Sequence, residues 1–383
     1  MGGKRDHGDG AIDQRGKDRW RLRYRVGDKR YTKTVKGSIT DARTALRALL
    51  KSADDGQYIA PDKTTICEYL RTSIDSDTGL SPKTRERYRQ LAEHQIIPHI
   101  GAIALQNLRP ATLHEWHATL LKSGSKDGRP LSARTVGHAH RVLHRALERA
   151  LRLEIIPRNV AATIRPPKVQ AAEVAILTPA QMADVLAQLD GHPLHPVVAL
   201  ALGTGMRRGE LCALAWGALD LDRASVRIDR SLEETADGLR FKSPKTTHGR
   251  RTVSLPASVV DILRVHRRQQ NEQRLLLGLG GATASDLVFA LPDGSPYPPD
   301  KMSRDWLRIV RSRKLPRVMF HALRHSHVSA LIGSGQDVLT ISRRIGHANP
   351  AVTLAVYAHQ FGDHDRDAAV AIDAALTGLA PKK

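Results

Sequence analysis

The sequence has few of the features that mark secreted, zinc-bound or membrane proteins. It contains two cysteines, Cys67 and Cys212, in 383 residues, and two isolated cysteines supply neither a disulfide framework nor a zinc ribbon. Its longest apolar run, Val197 to Leu202, is far too short to cross a bilayer, which takes about 20 residues. The first residues lack the apolar core of a signal peptide. We therefore expect a protein of the bacterial cytoplasm, close to the nucleoid and without a membrane partner.

Acidic residues are also scarce. Lys and Arg number 60 against 39 Asp and Glu, which gives a formal net charge of +21 and a pI of about 10.4. Such an excess predicts a polyanionic partner, and DNA is the natural one. Apolar residues, at 41%, suffice for hydrophobic cores, and the length predicts two or three domains. No motif of paired catalytic carboxylates and no Gly-x-x-x-x-Gly-Lys-Ser/Thr loop is evident, so we expect neither a cofactor nor a metal.

Residues 19–26 alternate between basic and apolar side chains, as in a strand with one buried face. Gly27-Asp28 is a plausible hairpin turn, residues 29–35 return as a second strand, and a helix is expected from about Thr40. The basic face of the first strand comprises Arg19, Arg21, Arg23 and Arg25. A solvated strand face is the plain alternative. An apolar face behind a row of arginines nevertheless favours a sheet that binds a DNA groove.

From about residue 61 to residue 156 the signals are helical. Proline follows Ser81 and Arg109, where it starts helices, and Ser132 can cap a third helix that runs to about Leu153. Basic residues on the outer faces of this bundle are candidate DNA contacts, Arg134 and Arg141 among them. The alternative is a helical spacer that touches no DNA.

The stretch from residue 157 to residue 175 lacks periodicity and resembles an interdomain linker. It carries Arg165 and Lys168, and its charge suits a strap lying along phosphates. One mixed domain is expected from Leu177 onward, with short strands near residues 224–229, 239–241 and 251–255.

Three short segments of this last region carry the chemistry. The first is residues 204–211, with Arg207 after a glycine turn at a probable helix start. The second is residues 321–325, with His321 and Arg324 three positions apart. The third is residues 345–357, with His347 ten positions before Tyr357. A phenol can attack a phosphate while guanidinium and imidazole groups hold its oxygens, since arginine bonds two oxygens at once and stays charged.

Each of these residues also has a plain interpretation. Arg207 can simply pair with Glu210 one turn on, and a lone tyrosine is usually an amphipathic core residue. His321 and His325 have the spacing of zinc ligands on a helix, but Ala322 stands where His-Glu-x-x-His needs its glutamate. His325 and His327 are therefore interpreted as packing or hydrogen-bonding residues.

The order and spacing of the three segments resemble those of the tyrosine recombinases of the phage-integrase type. The resemblance implies that Arg207, His321, Arg324 and His347 bind the scissile phosphate, that Glu210 supports the site, and that Tyr357 is the nucleophile. It also implies that Lys245, in a Pro-Lys-Thr sequence between two predicted strands, sits on a hairpin tip and protonates the leaving oxygen. Lys242 competes for that role. The departures, Ile345 and Ala218 in place of commoner residues, remove no catalytic group.

The same resemblance predicts a mainly α fold with small β-sheets (α+β). Its parts are an arm-type DNA-binding domain at 1–60, a helical core-binding domain at 61–165, a linker at 166–176 and a catalytic domain at 177–383. Cleavage would leave a 3′-phosphotyrosyl link, and the partners would be double-stranded attachment sites and a homotetramer on DNA. A DNA-bending or directionality factor is a further possible partner.

Three questions stay open at this stage. A type IB topoisomerase uses similar chemistry to relax DNA, and a non-catalytic DNA-binding regulator would carry an inert last domain. The third question concerns the apolar positions after residue 363, which recur at helical spacing. That terminal helix docks either on its own domain or, as the resemblance implies, on a neighbouring subunit. Its apolar stripe comprises Ala369, Ile372, Leu376 and Leu379.

Overall fold

The computed structural model describes residues 10–55, 58–170, 174–244, 249–358 and 365–377. The chain divides into two compact units, one before and one after residue 170. Across the described residues the fold is mainly helical with small antiparallel sheets, which confirms the predicted fold class. Among those residues, no helix is both long and apolar enough to cross a membrane.

The first unit begins with a three-stranded antiparallel sheet in the order β1-β2-β3 and one helix packed on it. The elements are β1 (Ala11–Gly16), β2 (Arg19–Val26), β3 (Lys29–Lys36) and α1 (Ile39–Asp54). We call residues 10–55 the N-terminal module. The sequence predicted β2, the turn, β3 and α1, but β1 was missed because its residues show no clean alternation.

Alternation along β2 places its apolar residues against α1. Leu22 and Tyr24 are 0% and 3% exposed and pack with Ala42 and Leu46 of the helix. Ser38 starts α1 with a reciprocal capping box to Asp41, which satisfies amide groups that the first helical turn leaves free. The arginines of β2 are thereby directed to the opposite face of the sheet.

The rest of the first unit is a helical bundle around one core. Its helices are α2 (Ile66–Asp75), α3 (Pro82–Leu91), α4 (Ile97–Ile100), α5 (Pro110–Ser123) and α6 (Ala133–Arg152), with a π-helical turn at Ala92–Ile96. Proline opens α3 and α5 as predicted, and Ser132 caps α6 through the amide of Thr135. Beyond the 3₁₀ turn Val160–Thr163, residues 164–170 form no regular element.

The second unit combines two small sheets with a larger set of helices around its own core. Its strands are β4 (Leu219–Asp220), β5 (Ser225–Ile228), β6 (Ser231–Thr235), β7 (Gly238–Lys242) and β8 (Arg251–Ser254). Its helices are α7 (Pro179–Gln188), α8 (His195–Thr204), α9 (Arg208–Cys212), α10 (Ala257–Leu276), α11 (Pro299–Ser312), α12 (Ala322–Gly333), α13 (Val338–Ile345), α14 (Pro350–Tyr357) and α15 (Asp365–Thr377).

The sheet partners of β7 and β8 bear on the prediction for Lys245. These strands flank Lys245, but they do not pair with each other: β7 pairs with β6, and β8 pairs with β5. The reason is that the tight turn after Thr235 already supplies β7 with a partner, so β8 is left to complete the β4-β5-β8 sheet. β7 and β8 therefore belong to different sheets, and Lys245, which follows β7 in the sequence, is outside the described residues.

The last helix exposes the apolar residues that were expected to be covered. In α15, Ile372 is 61% and Leu376 is 81% exposed, while Leu379 lies outside the described residues. Within the described part of the chain, no surface therefore covers the apolar stripe of α15.

Candidate active site

Four segments of the second unit bring the predicted residues together. Arg207 stands at the start of α9, Arg324 lies in the first turn of α12, His347 follows α13, and Tyr357 ends α14. The groups are close enough to interact electrostatically. Burial lowers the pKa of His347, and the charges of Arg324 and Arg207 lower it further. Residues more than a hundred positions apart in sequence thus form one cationic cluster.

Arg324 is buried, and its hydrogen bonds to described residues go to backbone carbonyl groups. It is 4% exposed, and its two terminal nitrogens donate to the carbonyl oxygens of Gly205 at 2.6 Å and Ile345 at 2.7 Å. Gly205 ends α8 in the left-handed conformation at φ 65°, which favours glycine. Burial and the charge of Arg207 lower the pKa of Arg324 to about 9, so the guanidinium stays charged at neutral pH.

Arg207 both pairs with Glu210 and remains accessible. Its guanidinium donates to Glu210 Oε1 at 3.0 Å and to the carbonyl of Gly346 at 3.1 Å, and 41% of the side chain is exposed. The plain interpretation of Arg207 as a helical ion-pair partner is therefore correct as far as it goes. The pair fixes the guanidinium and leaves part of it free to meet an anion.

Glu210 is the buried support of this cluster. It is 5% exposed and accepts from Arg251 at 2.8 Å and 3.1 Å, and the Arg251 side chain is itself only 6% exposed. Burial alone would raise the pKa of Glu210, but the hydrogen bonds and charges of Arg251 and Arg207 hold it below its ordinary value. Sequence reasoning did not single out Arg251. Its place in a predicted strand was visible, but the inward direction of its side chain was not.

The two predicted histidines lie at the rim of the cluster. His347 contacts Thr353 Oγ1 through Nδ1 at 2.9 Å, and His321 is the residue that immediately precedes α12. The protein packed around each ring, followed by positive neighbours, lowers both pKa values to about 4. Both imidazoles are therefore neutral at pH 7. No group of three or more potential metal ligands occurs among the described residues.

Tyr357 is buried, at 4% exposure. Its ring packs with Val328 and Ile332 of α12 and with Ile341 and Ile345 of α13. Burial raises the pKa of the phenol to about 12, although the charge of Arg324 acts in the opposite direction. The hydroxyl lies 2.5 Å from Nδ1 of His325.

His325 and His327, interpreted from the sequence as hydrogen-bonding residues, do form hydrogen bonds. His325 contacts the hydroxyl of Tyr357, whereas His327 contacts the carbonyl of Leu202 through Nδ1 at 2.7 Å and accepts from Arg344 at 3.1 Å. Since these contacts cross between helices, sequence spacing gave no sign of which partner each imidazole takes.

Of the two candidate lysines, the structure describes one. Lys242 forms an ion pair with Glu233, a carboxylate that is 8% exposed. This contact occupies the ammonium group and counts against Lys242 as the proton donor. Lys245 remains a prediction.

The predicted DNA contacts lie in the first unit and are mostly exposed. Arg19, Arg23 and Arg25 of β2, Arg134 and Arg141 of α6, and Arg165 and Lys168 after the bundle are exposed, and Arg21 is half-buried. Asp13 of β1 lies opposite Arg21 and accepts from Arg23 at 2.9 Å. An exposed basic surface is what phosphate binding requires, but the role of each residue stays a prediction.

Comparison with known proteins places this geometry in a family. Residues 176–364 match the model described as phage integrase family, and residues 74–121 match the phage integrase N-terminal SAM-like domain. Together the two matches cover more than half of the chain. An integrase of Streptomyces ambofaciens is 29% identical over 398 residues, which cover 97% of this chain and 98% of the relative.

Solved structures agree at the level of the fold. The Tn1549 transposon integrase in complex with transposon right end DNA is similar with a TM-score of 0.67 and 22% identity, covering 80% of this chain and 98% of that one. A lambda integrase tetramer bound to a Holliday junction is similar with a TM-score of 0.54 and 16% identity, covering 88% and 96%.

This chain belongs to the phage integrase family of tyrosine recombinases. Its activity is that of a site-specific integrase, which breaks and rejoins DNA strands. The topoisomerase and regulator alternatives gain no support from these relatives.

Proposed function

We propose that this integrase cuts DNA by attack of Tyr357 on a phosphate held by Arg207, Arg324 and His347. The attack joins Tyr357 to the 3′-phosphate and releases a 5′-hydroxyl, and the 5′-hydroxyl of a partner strand then displaces the tyrosine. The observation that supports this most directly is the placement of the buried Tyr357 hydroxyl beside a cluster in which Arg324 is anchored by two carbonyl groups.

The chemistry of the cluster suits a phosphodiester. Fixed hydrogen-bond donors stabilise charge that develops in the transition state, and they act most strongly where water is excluded. Arg324 uses two N–H groups on carbonyls, and a guanidinium has five, so donors remain for phosphate oxygens. The bond energy is kept in the phosphotyrosyl link, so the reaction needs no ATP.

The leaving 5′-oxygen must gain a proton. We assign this to Lys245, because a lysine between two sheets of the same unit is the candidate left once Lys242 is paired with Glu233. His321 is assigned to the phosphate on account of its position immediately before α12.

Covalent capture tests the nucleophile. Tyr357→Phe should bind attachment-site DNA but form no protein–DNA adduct that survives denaturation, whereas Tyr88→Phe in the first unit serves as the matched control and should form it. The adduct should also form in EDTA. An adduct with Tyr357→Phe, or a requirement for a divalent metal, would overturn the mechanism.

We further propose that four protomers assemble on paired attachment sites, with α15 of each docked on a neighbour. The exposed Ile372 and Leu376 support this, since a short helix gains little stability unless its apolar face is covered. Truncation after residue 362 should leave single-site binding nearly unchanged and abolish the four-protomer complex in light scattering. A truncated chain that still recombines at the full-length rate would show that the helix does not exchange.

The N-terminal module is proposed to bind a separate arm-type site, and Arg134, Arg141, Arg165 and Lys168 are proposed to contact the core site. What supports this is the exposure of Arg19, Arg23 and Arg25 on β2 together with the exposure of the other four side chains. A DNA-bending or directionality factor is proposed as a further partner.

A further inference from the structure

The nucleophile of the proposed reaction is hydrogen-bonded to a residue that the sequence did not mark for catalysis. The Tyr357 hydroxyl lies 2.5 Å from Nδ1 of His325, and the two rings are 5.6 Å apart between centroids at an angle of 49°. Tyr357 comes from α14 and His325 from α12. The contact therefore links the helix that carries the nucleophile to the helix that carries Arg324.

The phenol proton in this contact points toward the histidine. A buried hydroxyl must donate its proton to an acceptor, and among the described residues the Tyr357 hydroxyl has one hydrogen-bond partner, Nδ1 of His325. Burial and then the charge of Arg324 lower the pKa of His325, so the ring is neutral at pH 7 and offers a bare nitrogen. The imidazole proton is accordingly assigned to Nε2.

The phenol needs such an acceptor. With its pKa raised to about 12, Tyr357 is ionised in only about one molecule in 10⁵ at pH 7. A base within hydrogen-bond distance of the departing proton is the geometric requirement for general-base catalysis, and His325 meets it. His321 lies edge-on to His325 with ring centroids 5.1 Å apart and has no hydrogen bond to Tyr357 among the described contacts.

We infer that His325 is the proton acceptor for Tyr357, an assignment that rests on the proposed function of Tyr357 as nucleophile. As the bond from the tyrosine oxygen to phosphorus forms, its proton passes to Nδ1 of His325. The bond from phosphorus to the 5′-oxygen breaks, and that oxygen takes a proton from a separate donor, assigned above to Lys245. When the partner strand's 5′-hydroxyl attacks, it gives its proton to that donor, and His325 returns its own to the departing tyrosine.

The groups around His325 bear on its charged form. His321 and Arg324 face it from its own helix, His347 from the segment before α14, and Tyr357 from α14 itself. Arg324 opposes a positive charge on His325 in the free protein. A scissile phosphate gains negative charge in the transition state, and that charge favours the imidazolium when it is needed.

The decisive variant is His325→Asn, whose side chain reaches the position of Nδ1 and accepts a hydrogen bond but takes up no proton. Single-turnover adduct formation is measured with two DNA substrates, one with the natural 5′-oxygen and one with a bridging 5′-sulfur that leaves without a proton. We expect His325→Asn to slow both by about 10²–10⁴-fold, the usual contribution of acid–base catalysis. Its rate should rise with pH across the range where the native rate is level.

Three controls separate the outcomes. Lys245→Ala should regain activity with the sulfur substrate, because its defect lies in the leaving group. His327→Asn removes another buried imidazole of α12, so it reports any loss of stability and should keep the native pH profile. Tyr357→Phe should form no adduct with either substrate, and an adduct there would overturn the proposed function itself.

The inference about His325 fails if Tyr357→Phe is inactive while His325→Asn forms the adduct within about threefold of the native rate. Acid–base catalysis contributes about 10²–10⁴-fold, so such a small loss would leave no room for it. The inference also fails if the sulfur substrate restores His325→Asn, or if its pH profile is that of the native enzyme. His325→Ala, checked by thermal melting and DNA binding, should be no more active than His325→Asn. A more active alanine variant would show that the imidazole restrains the tyrosine and does not accept its proton.

Discussion

In the N-terminal module Arg23 and Arg25 of β2 stand in solvent, with 57% and 60% of their side chains exposed. In the second unit Arg324 is 4% exposed and the Arg251 side chain 6%. Exposed arginines keep their hydration and their freedom, and their ion pairs contribute little. Buried ones have lost both and are held rigid. The same residue type is thus suited to bind any phosphate in one region and to orient a single phosphate in the other.

The largest effect should come from removing an arginine of the catalytic cluster. Arg324→Ala, or Arg207→Ala, should cut the rate of adduct formation by on the order of 10²–10³ or more, as loss of one fixed transition-state donor does elsewhere. Arg324→Ala also leaves the carbonyls of Gly205 and Ile345 without their partner. Arg311→Ala, at an exposed position of α11, is the control. The rates are measured in single-turnover kinetics. Equal rates for Arg324→Ala and Arg311→Ala would show that the buried arginine matters no more to cleavage than an exposed one.

The next effect concerns the stability of the second unit. Glu210→Gln leaves Arg251 buried without a charged partner, and breaking a buried pair costs about 3–5 kcal/mol. The side-chain amide of the variant keeps part of the hydrogen bonding, so we expect the free energy of unfolding to fall by about 3 kcal/mol. Urea unfolding measures it, with Glu272→Gln on the exposed side of α10 as control. A loss no greater than in the control would mean that the pair is not needed for folding.

A smaller effect is expected from pH. Burial lowers the folded-state pKa of His140 in the helical bundle and of His327 in the second unit to about 4, below the unfolded value of about 6.5. The stability gained by burying these two histidines in the neutral form is fully present above about pH 6.5 and is lost as the pH falls toward 4. The N-terminal module has no histidine between residues 10 and 55, so its stability should not change by this route. Peptide-resolved hydrogen exchange in urea at pH 7 and pH 4.5 distinguishes the regions, and a uniform response would contradict the assignment.

The smallest effect should follow neutralisation of two arginines on the basic face of β2. Arg21→Gln with Arg23→Gln should weaken binding to an arm-type site and lower the slope of log affinity against log salt by about 2. Cleavage at the core site should stay near native. Asp13→Asn, which releases both arginines from their carboxylate, is the matched control and should bind the arm site as tightly as native or slightly tighter. Equal losses at arm and core sites would sink the assignment of the module.

Local sequence patterns were sufficient to predict the elements whose structure depends only on neighbouring residues. The alternation of residues 19–26 predicted β2, and the prolines after Ser81 and Arg109 predicted the starts of α3 and α5. The glycine turn before Arg207 also predicted where α9 begins. Each of these signals depends on backbone conformation within a few residues.

Other features depended on how distant segments meet, and no local pattern encodes that. The inward side chain of Arg251 follows from the pairing of β8 with β5. No local pattern favours β5 over β7 as the partner of β8. The contact of His325 with Tyr357 crosses 32 positions. The sheet partners of the two strands that flank Lys245 were unpredictable for the same reason, because strand choice is set by the whole sheet.

The anchoring of Arg324 by two carbonyl groups has an energetic consequence for the free enzyme. A carbonyl dipole orients a guanidinium without cancelling its charge, whereas a carboxylate would neutralise it. The cluster therefore keeps mutual repulsion between Arg324, Arg207 and Arg251 that a single Glu210 only partly offsets. A bound phosphate supplies the negative charge that relieves that repulsion, so DNA binding should stabilise this domain. The enzyme should be more resistant to unfolding on its substrate than alone, by an amount that shrinks as salt supplies other anions.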